Sequence, residues 1–200
     1  MALSDAYATA VEYRAAIGMS DTTQDAAILK DLKAISRYID GKVGRFFTKD
    51  AQDVTRHYPV KATGPQLWVD DLSAAPTSIK TGYAAGSYET TLAATDYELW
   101  PLNAAAEPEP RPFTLIKLSA SGTLGCFAGG DRVQIVGKFG WPAVPEAVRR
   151  ATIDLAGILR LETARATRRI PELGDIIEAS PDAVHIVRQL LDIYKRERYA

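Results

Sequence analysis

The sequence predicts an α+β protein: a helical bundle of about four helices with an antiparallel β-sheet insertion between the second and third helices. Two changes of hydrophobic period support this. Apolar residues recur every three or four positions near both ends of the chain, while short β-branched and aromatic runs alternate with turn clusters from about Val54 to Phe139. No helical crossover pattern separates those runs, so the strands should pair antiparallel.

The first helix is announced by Thr9-Ala10-Val11-Glu12, which has the form of a capping box, and Gly18 should end it. Asp21-Thr22-Thr23-Gln24 is a second start signal. Behind it Ile28, Leu32, Ile35, Ile39 and Val43 form one stripe, with Lys30, Asp31, Lys33, Arg37 and Asp40 largely off it. Gly44-Arg45-Phe46-Phe47 closes that helix, and the Phe pair is expected to plug the core at its exit.

Turn clusters at Thr63-Gly64-Pro65, Gly82 to Ser87, Ala104 to Pro112 and Ser119 to Gly130 then divide the strands. Ala104 to Pro112 carries three prolines, at 108, 110 and 112. It therefore reads as a projecting, mobile hairpin loop, because proline donates nothing to a central ladder. Pro145-Glu146 restarts helix with Val148, Ala151, Leu155, Ile158 and Leu159 as its apolar face, and Pro171 must break it. Pro181-Asp182 opens a last helix with Val184, Val187, Leu190, Leu191 and Tyr194 on one side. The expected organisation is one domain over 1–200: N-terminal helices 1–50, a β insertion 51–143, a third helix 144–169, and a C-terminal segment with the last helix 170–200.

Composition limits the function. The 200 residues hold 24 basic and 25 acidic side chains, a net charge of −1, which argues against a general nucleic-acid binder. One cysteine, Cys126, excludes an intramolecular disulfide and a cysteine-based zinc cage, and is expected to be a small, partly buried residue in a Gly-rich loop. The first residues lack a basic start and apolar run, and no stretch approaches a membrane span. This predicts a protein made in a reducing cytoplasm or built into a particle assembled there.

Catalytic motifs are missing. Adjacent strand residues such as Asp70 and Asp71 point to opposite faces and cannot converge as an acid/base pair. His57 and His185 sit in no metal-ligand spacing, Ser119, Ser121 and Thr123 lack a nucleophile elbow, and Gly125 to Gly130 matches no phosphate loop. No catalytic, cofactor or metal residue is therefore assigned.

Surfaces remain. Arg149, Arg150, Arg160, Arg165, Arg168 and Arg169 load the outer face and last turns of the third helix, but Glu146, Asp154 and Glu162 interleave. That face reads as solvated or subunit-contacting, with Arg160, Arg165, Arg168 and Arg169 as the subunit- or DNA-facing candidates. Tyr194-Lys195-Arg196-Glu197-Arg198-Tyr199 is rich in residues favoured at interface hot spots. Two other classes stay open: a β-domain module binding carbohydrate or peptide through Tyr83, Tyr88, Tyr97 and Trp100, and a DNA-binding packaging or regulatory protein using the arginine-rich helix.

One ordered series of motifs carries a resemblance. After a short capped helix and a long helix ending in Gly44-Arg45-Phe46 come Leu67-Trp68-Val69-Asp70-Asp71-Leu72, Ser78-Ile79-Lys80 and Tyr88-Glu89-Thr90-Thr91-Leu92. Asp96-Tyr97-Glu98-Leu99-Trp100-Pro101, Phe139-Gly140-Trp141-Pro142 and Pro145-Glu146-Ala147-Val148 follow. Over Thr9 to Ala164 the chain resembles the head-tail connector (neck adaptor) family of tailed bacteriophages. The resemblance implies a structural virion protein of the neck, without catalysis or cofactor, assembled in the host cytoplasm. Its partners would be copies of itself in a ring, a dodecamer on the portal; the portal protein; a downstream neck or tail-completion protein; and double-stranded DNA passing through the channel without sequence specificity. No membrane is involved. Portal contacts are expected from the C-terminal segment, at Val187, Leu190, Leu191, Tyr194, Arg196, Arg198 and Tyr199.

Overall fold

A computed structural model of the chain describes residues 6–83, 86–165, 189 and 191–195. Two compact units make up the chain: one of Thr48–Ala143, the other of the segments before and after it, Ala2–Phe47 and Val144–Ala200.

The helical unit contains α1 (Ala10–Ile17), α2 (Asp25–Val43) and α3 (Glu146–Arg165). At α1 the capping box forms as expected: Glu12 N–H donates to the Thr9 hydroxyl at 3.2 Å, and Thr9 N–H donates to the Glu12 carboxylate at 2.7 Å. Gly18 ends it in the left-handed region, at φ 68°. The start of α2 differs from expectation. Gln24 occupies the cap without a side-chain capping bond, and Asp21 instead accepts from Thr23 N–H at 2.9 Å, holding a turn one step earlier. Local bonding by Asp competes with capping, and here it wins.

Ile28, Leu32, Ile35, Ile39 and Val43 are buried along one side of α2, together with Val148, Ala151, Leu155 and Ala156 of α3. The α2 exit is split: Phe47 is fully buried, whereas Phe46 is 49% exposed. Only one of two consecutive side chains can enter the core there.

The β unit holds β1 (Val54–Pro59), β2 (Gln66–Leu72), β3 (Ser78–Gly82), β4 (Thr90–Leu92), β5 (Tyr97–Trp100), β6 (Phe113–Leu118) and β7 (Arg132–Gly137). They form two antiparallel sheets, ordered β1-β7-β3-β4 and β2-β6-β5. Alternation decides most of the buried sides, interrupted in β2 by a register shift between Trp68 and Leu72. Ile79, Ile135 and Leu92 lie in one register row of the first sheet, and Leu67, Ile116 and Leu99 in one row of the second. With Val60, Val69, Leu72, Phe127, Val133 and Phe139 they make a single core. Gly140 is required by close approach. Its φ is 102°, and a Cβ there would lie 2.0 Å from the Thr48 carbonyl oxygen.

The expected fold class needs correction. Among the described residues the chain has three helices and seven strands in two antiparallel sheets, and is not a bundle of about four helices carrying one sheet. Two features separate it from the sequence reading. The last expected helix falls mostly outside the described residues, and the succession of turn clusters hides a strand switch between two sheets. Periodicity identifies strands but not which sheet each one joins.

Candidate assembly surfaces

A buried polar network stands at the exit of α2. The Tyr7 hydroxyl donates to Asp40, and Phe47 N–H donates to that hydroxyl at 3.0 Å. Tyr7 N–H donates to the Ser36 hydroxyl at 3.0 Å, and that hydroxyl donates to the Leu32 carbonyl at 2.7 Å. Arg37 pairs with Asp40 at 3.1 Å and lies over the Tyr7 ring. Burial pushes the Tyr7 hydroxyl well above its usual range. Burial likewise raises Asp40, against the pull of Tyr7 and Arg37. Sequence periodicity placed Asp40 off the apolar stripe, yet it is only 7% exposed. No sequence signal points to Tyr7 as its partner, because the two are 33 positions apart.

Above this network the rings of Tyr7, Phe47 and Tyr194 stack edge to face, each neighbouring pair with centroids 5.6 Å apart. Leu191 is buried as well. Of the expected portal contacts, then, Leu191 and Tyr194 pack on the chain's own helical unit, and Ile193 between them is 75% exposed. Val187, Leu190, Arg196, Arg198 and Tyr199 lie outside the described residues.

Three arginines of α3 are engaged. Arg149 reaches Glu12 of α1 at 3.2 Å, Arg150 pairs with Asp154 at 3.0 Å, and Arg160 pairs with Asp31 of α2 at 2.9 Å and bonds Gln24. Arg160 thus staples α3 to α2. Nothing is described of the Arg165 side chain, and Arg168 and Arg169 fall outside the described residues.

In the β unit Arg56 lies 4.0 Å from the centre of the Phe139 ring and pairs with Asp70 at 2.8 Å. Tyr58 donates to the same carboxylate at 3.1 Å, and burial, with Asp70 beside it, lifts the Tyr58 hydroxyl well above its usual range. Asp71 is buried. The two carboxylates do not share a site.

Asp96 ties two turns together, accepting from Ala93 N–H at 2.9 Å and Thr123 N–H at 3.1 Å. Those amides hold its carboxyl below the usual range. The 101–112 connection is more closed than an open hairpin loop. Ala104 is fully buried, Arg111 N–H donates to the Ala104 carbonyl at 2.9 Å, and the Arg111 guanidinium forks onto Glu107. Cys126 is exposed, contrary to expectation.

The four aromatics of a carbohydrate or peptide module do not converge. Tyr97 packs on the core side of its sheet. Trp100 opposes Leu115 on the other side, next to the Lys117 ammonium. Tyr88 stacks on His57 in the other sheet, and Tyr83 is 82% exposed. Among the described residues no three His, Cys, Asp or Glu side chains could hold a metal ion, and no helix is long and apolar enough to cross a membrane.

No family model matches the chain, and no curated protein does. Solved structures do. The chain is similar to one from the neck of an empty gene transfer agent particle computed with C6 symmetry, at 19% identity and a TM-score of 0.58, covering 96% of this chain and 90% of that one. A chain in the neck of the native particle computed with C12 symmetry matches at 19% identity and a TM-score of 0.55, covering 95% and 89%. One in the virion of the native particle matches at 20% identity and a TM-score of 0.56, covering 96% and 90%. At such identities the likeness establishes the fold: this chain shares its architecture, nearly end to end, with proteins of a particle neck.

Proposed function

We propose that this protein is a structural subunit of the neck of a tailed phage or phage-like particle. In this reading it forms a ring below the portal, extends the DNA channel, and links the head to the tail or to the next neck protein, without catalysis and without a cofactor. The observation that carries it is the match in fold to neck chains over 95% or more of this chain. The order of motifs from Thr9 to Ala164 points the same way. A ring needs heterologous contacts, in which one face of each copy mates with a different face of the next. Balanced charge, 24 basic against 25 acidic residues, favours such contacts and avoids a grip that would stall DNA in the channel. The units 1–50, 51–143, 144–169 and 170–200 act together as one connector.

The segment from about Ile170 to Ala200 docks on the portal. Leu191 and Tyr194 anchor its described turn to the helical unit, leaving Ile193 turned outward. Deleting Pro181 to Ala200 is expected to abolish co-sedimentation with portal while the far-UV circular dichroism of the remainder persists. Undiminished binding by the truncated chain would reject this docking. Electron microscopy of the intact protein mixed with portal tests the wider reading, and portal particles with no added ring would count against it.

A further inference from the structure

The helical unit distributes its charges unevenly. α2 has three carboxylates, Asp25, Asp31 and Asp40, and each is held by an arginine: Arg14 at 2.9 Å, Arg160 at 2.9 Å and Arg37 at 3.1 Å. Its lysines are treated differently. Lys30 and Lys33 are exposed, and neither has an anionic partner among the described residues. Spacings of three and four place Ala26, Lys30, Lys33, Arg37 and Gly41 along one face, which looks away from the buried row of Ile28, Leu32, Ile35 and Ile39. Lys42, exposed beside the Tyr38 ring, adds a further cation at the edge.

We infer that this face of α2 contacts the phosphate backbone of double-stranded DNA, an assignment that rests on the neck-channel reading above. Charge complementarity selects the partner. With every carboxylate of the helix neutralised by arginine, the potential on this side comes from the lysines. Lysine presents a compact point charge on a flexible stem, whereas protein interfaces are built around arginine forks and aromatic anchors. The exposed Ala26, Ala34 and Gly41 beside the lysines leave the helix surface low, so a convex duplex comes within reach of the ammonium groups. Lys30 to Lys33 spans about 4.5 Å of helix axis, within reach of one or two adjacent phosphates. Two unpaired lysines release few counterions, so each contact is weak, independent of sequence and sensitive to salt. Such contacts guide a sliding duplex without arresting it. The sequence had directed attention to the arginines of α3, but Arg149, Arg150 and Arg160 are spent on carboxylates.

The test is a nitrogen-15 NMR titration of the full chain with a short DNA duplex at about 20 mM and about 200 mM salt, conditions that separate backbone contacts from others. Amide shifts within 26–42 are expected at low salt and should vanish at high salt. Lys30→Gln with Lys33→Gln should remove them and lower the salt slope by about 1.8. Lys49→Gln with Lys61→Gln should leave them in place. Shifts that survive the α2 double variant, that map elsewhere, or that poly-glutamate reproduces equally would overturn the assignment. Ring formation on portal, followed by electron microscopy of the same variant, separates the two ideas. A ring that persists while DNA shifts never occur in the native chain removes this inference alone. DNA shifts without any ring remove the neck reading instead.

Discussion

Asp96 and Asp40 are both little exposed, yet their carboxyls are displaced in opposite directions. Asp96 accepts from two backbone amides and is held low, so the stability it contributes is present above its unfolded value near 3.8 and is lost as pH falls through the lower folded value. Asp40 is raised by burial, so its protonated form favours the fold, and that contribution is lost as pH rises from the unfolded value through the folded one. Asp96→Asn should therefore flatten the acid limb of a stability-versus-pH curve measured by urea denaturation, and Asp40→Asn should flatten the limb just above it. Asp40→Ala is a harsher change. It strips the Tyr7 hydroxyl of its acceptor in a buried site and should cost about 1–3 kcal/mol. If Asp40→Ala matched Asp40→Asn in stability, the network would hold nothing together. The role of Asp96 was not visible in the sequence, because its donors lie in two separate turns.

At the scale of elements, the helix starts show what local chemistry decides. Thr9 and Glu12 complete their reciprocal cap within four residues, and Glu12 also reaches Arg149 of α3. Thr9→Ala should destabilise the helical unit by about 1 kcal/mol, read as a lower midpoint in chemical denaturation. Equal midpoints would mean that the cap is immaterial to the folded unit. The α2 start was misread from a similar pattern, because Asp21 satisfies Thr23 in a turn rather than capping the helix. The strands were legible where apolar and polar residues alternate, as in Arg132 to Gly137. Their pairing was not. β7 lies between β1 and β3, and β6 between β2 and β5, each bringing together segments far apart in sequence.

For the whole molecule the β unit is self-sufficient in packing. All of its core residues, from Val60 to Phe139, fall within Thr48–Ala143. That segment expressed alone is expected to fold cooperatively, with dispersed amide resonances and a strand-type circular dichroism spectrum. A collapsed spectrum would show that it depends on the flanking segments. The same view accounts for the surfaces. Arginines in the third helix looked exposed in a helical projection, but once α1 and α2 are packed beside it, Arg149 and Arg160 find carboxylates on those helices. Lys30 and Lys33, unremarkable in sequence, emerge as exposed cations of α2 with no anionic partner among the described residues.

By itself the sequence determined the capping box of α1 and the glycine ends of α1 and α2, the apolar stripe of α2, the change from helical to strand period, and the lack of a recognisable catalytic motif. Those depend on residues within a turn or two of each other. Tertiary structure alone decided how seven strands divide into two sheets, that Tyr7 closes on Asp40, and which cations are neutralised. Each of these depends on groups tens of residues apart, and only packing sets their distance.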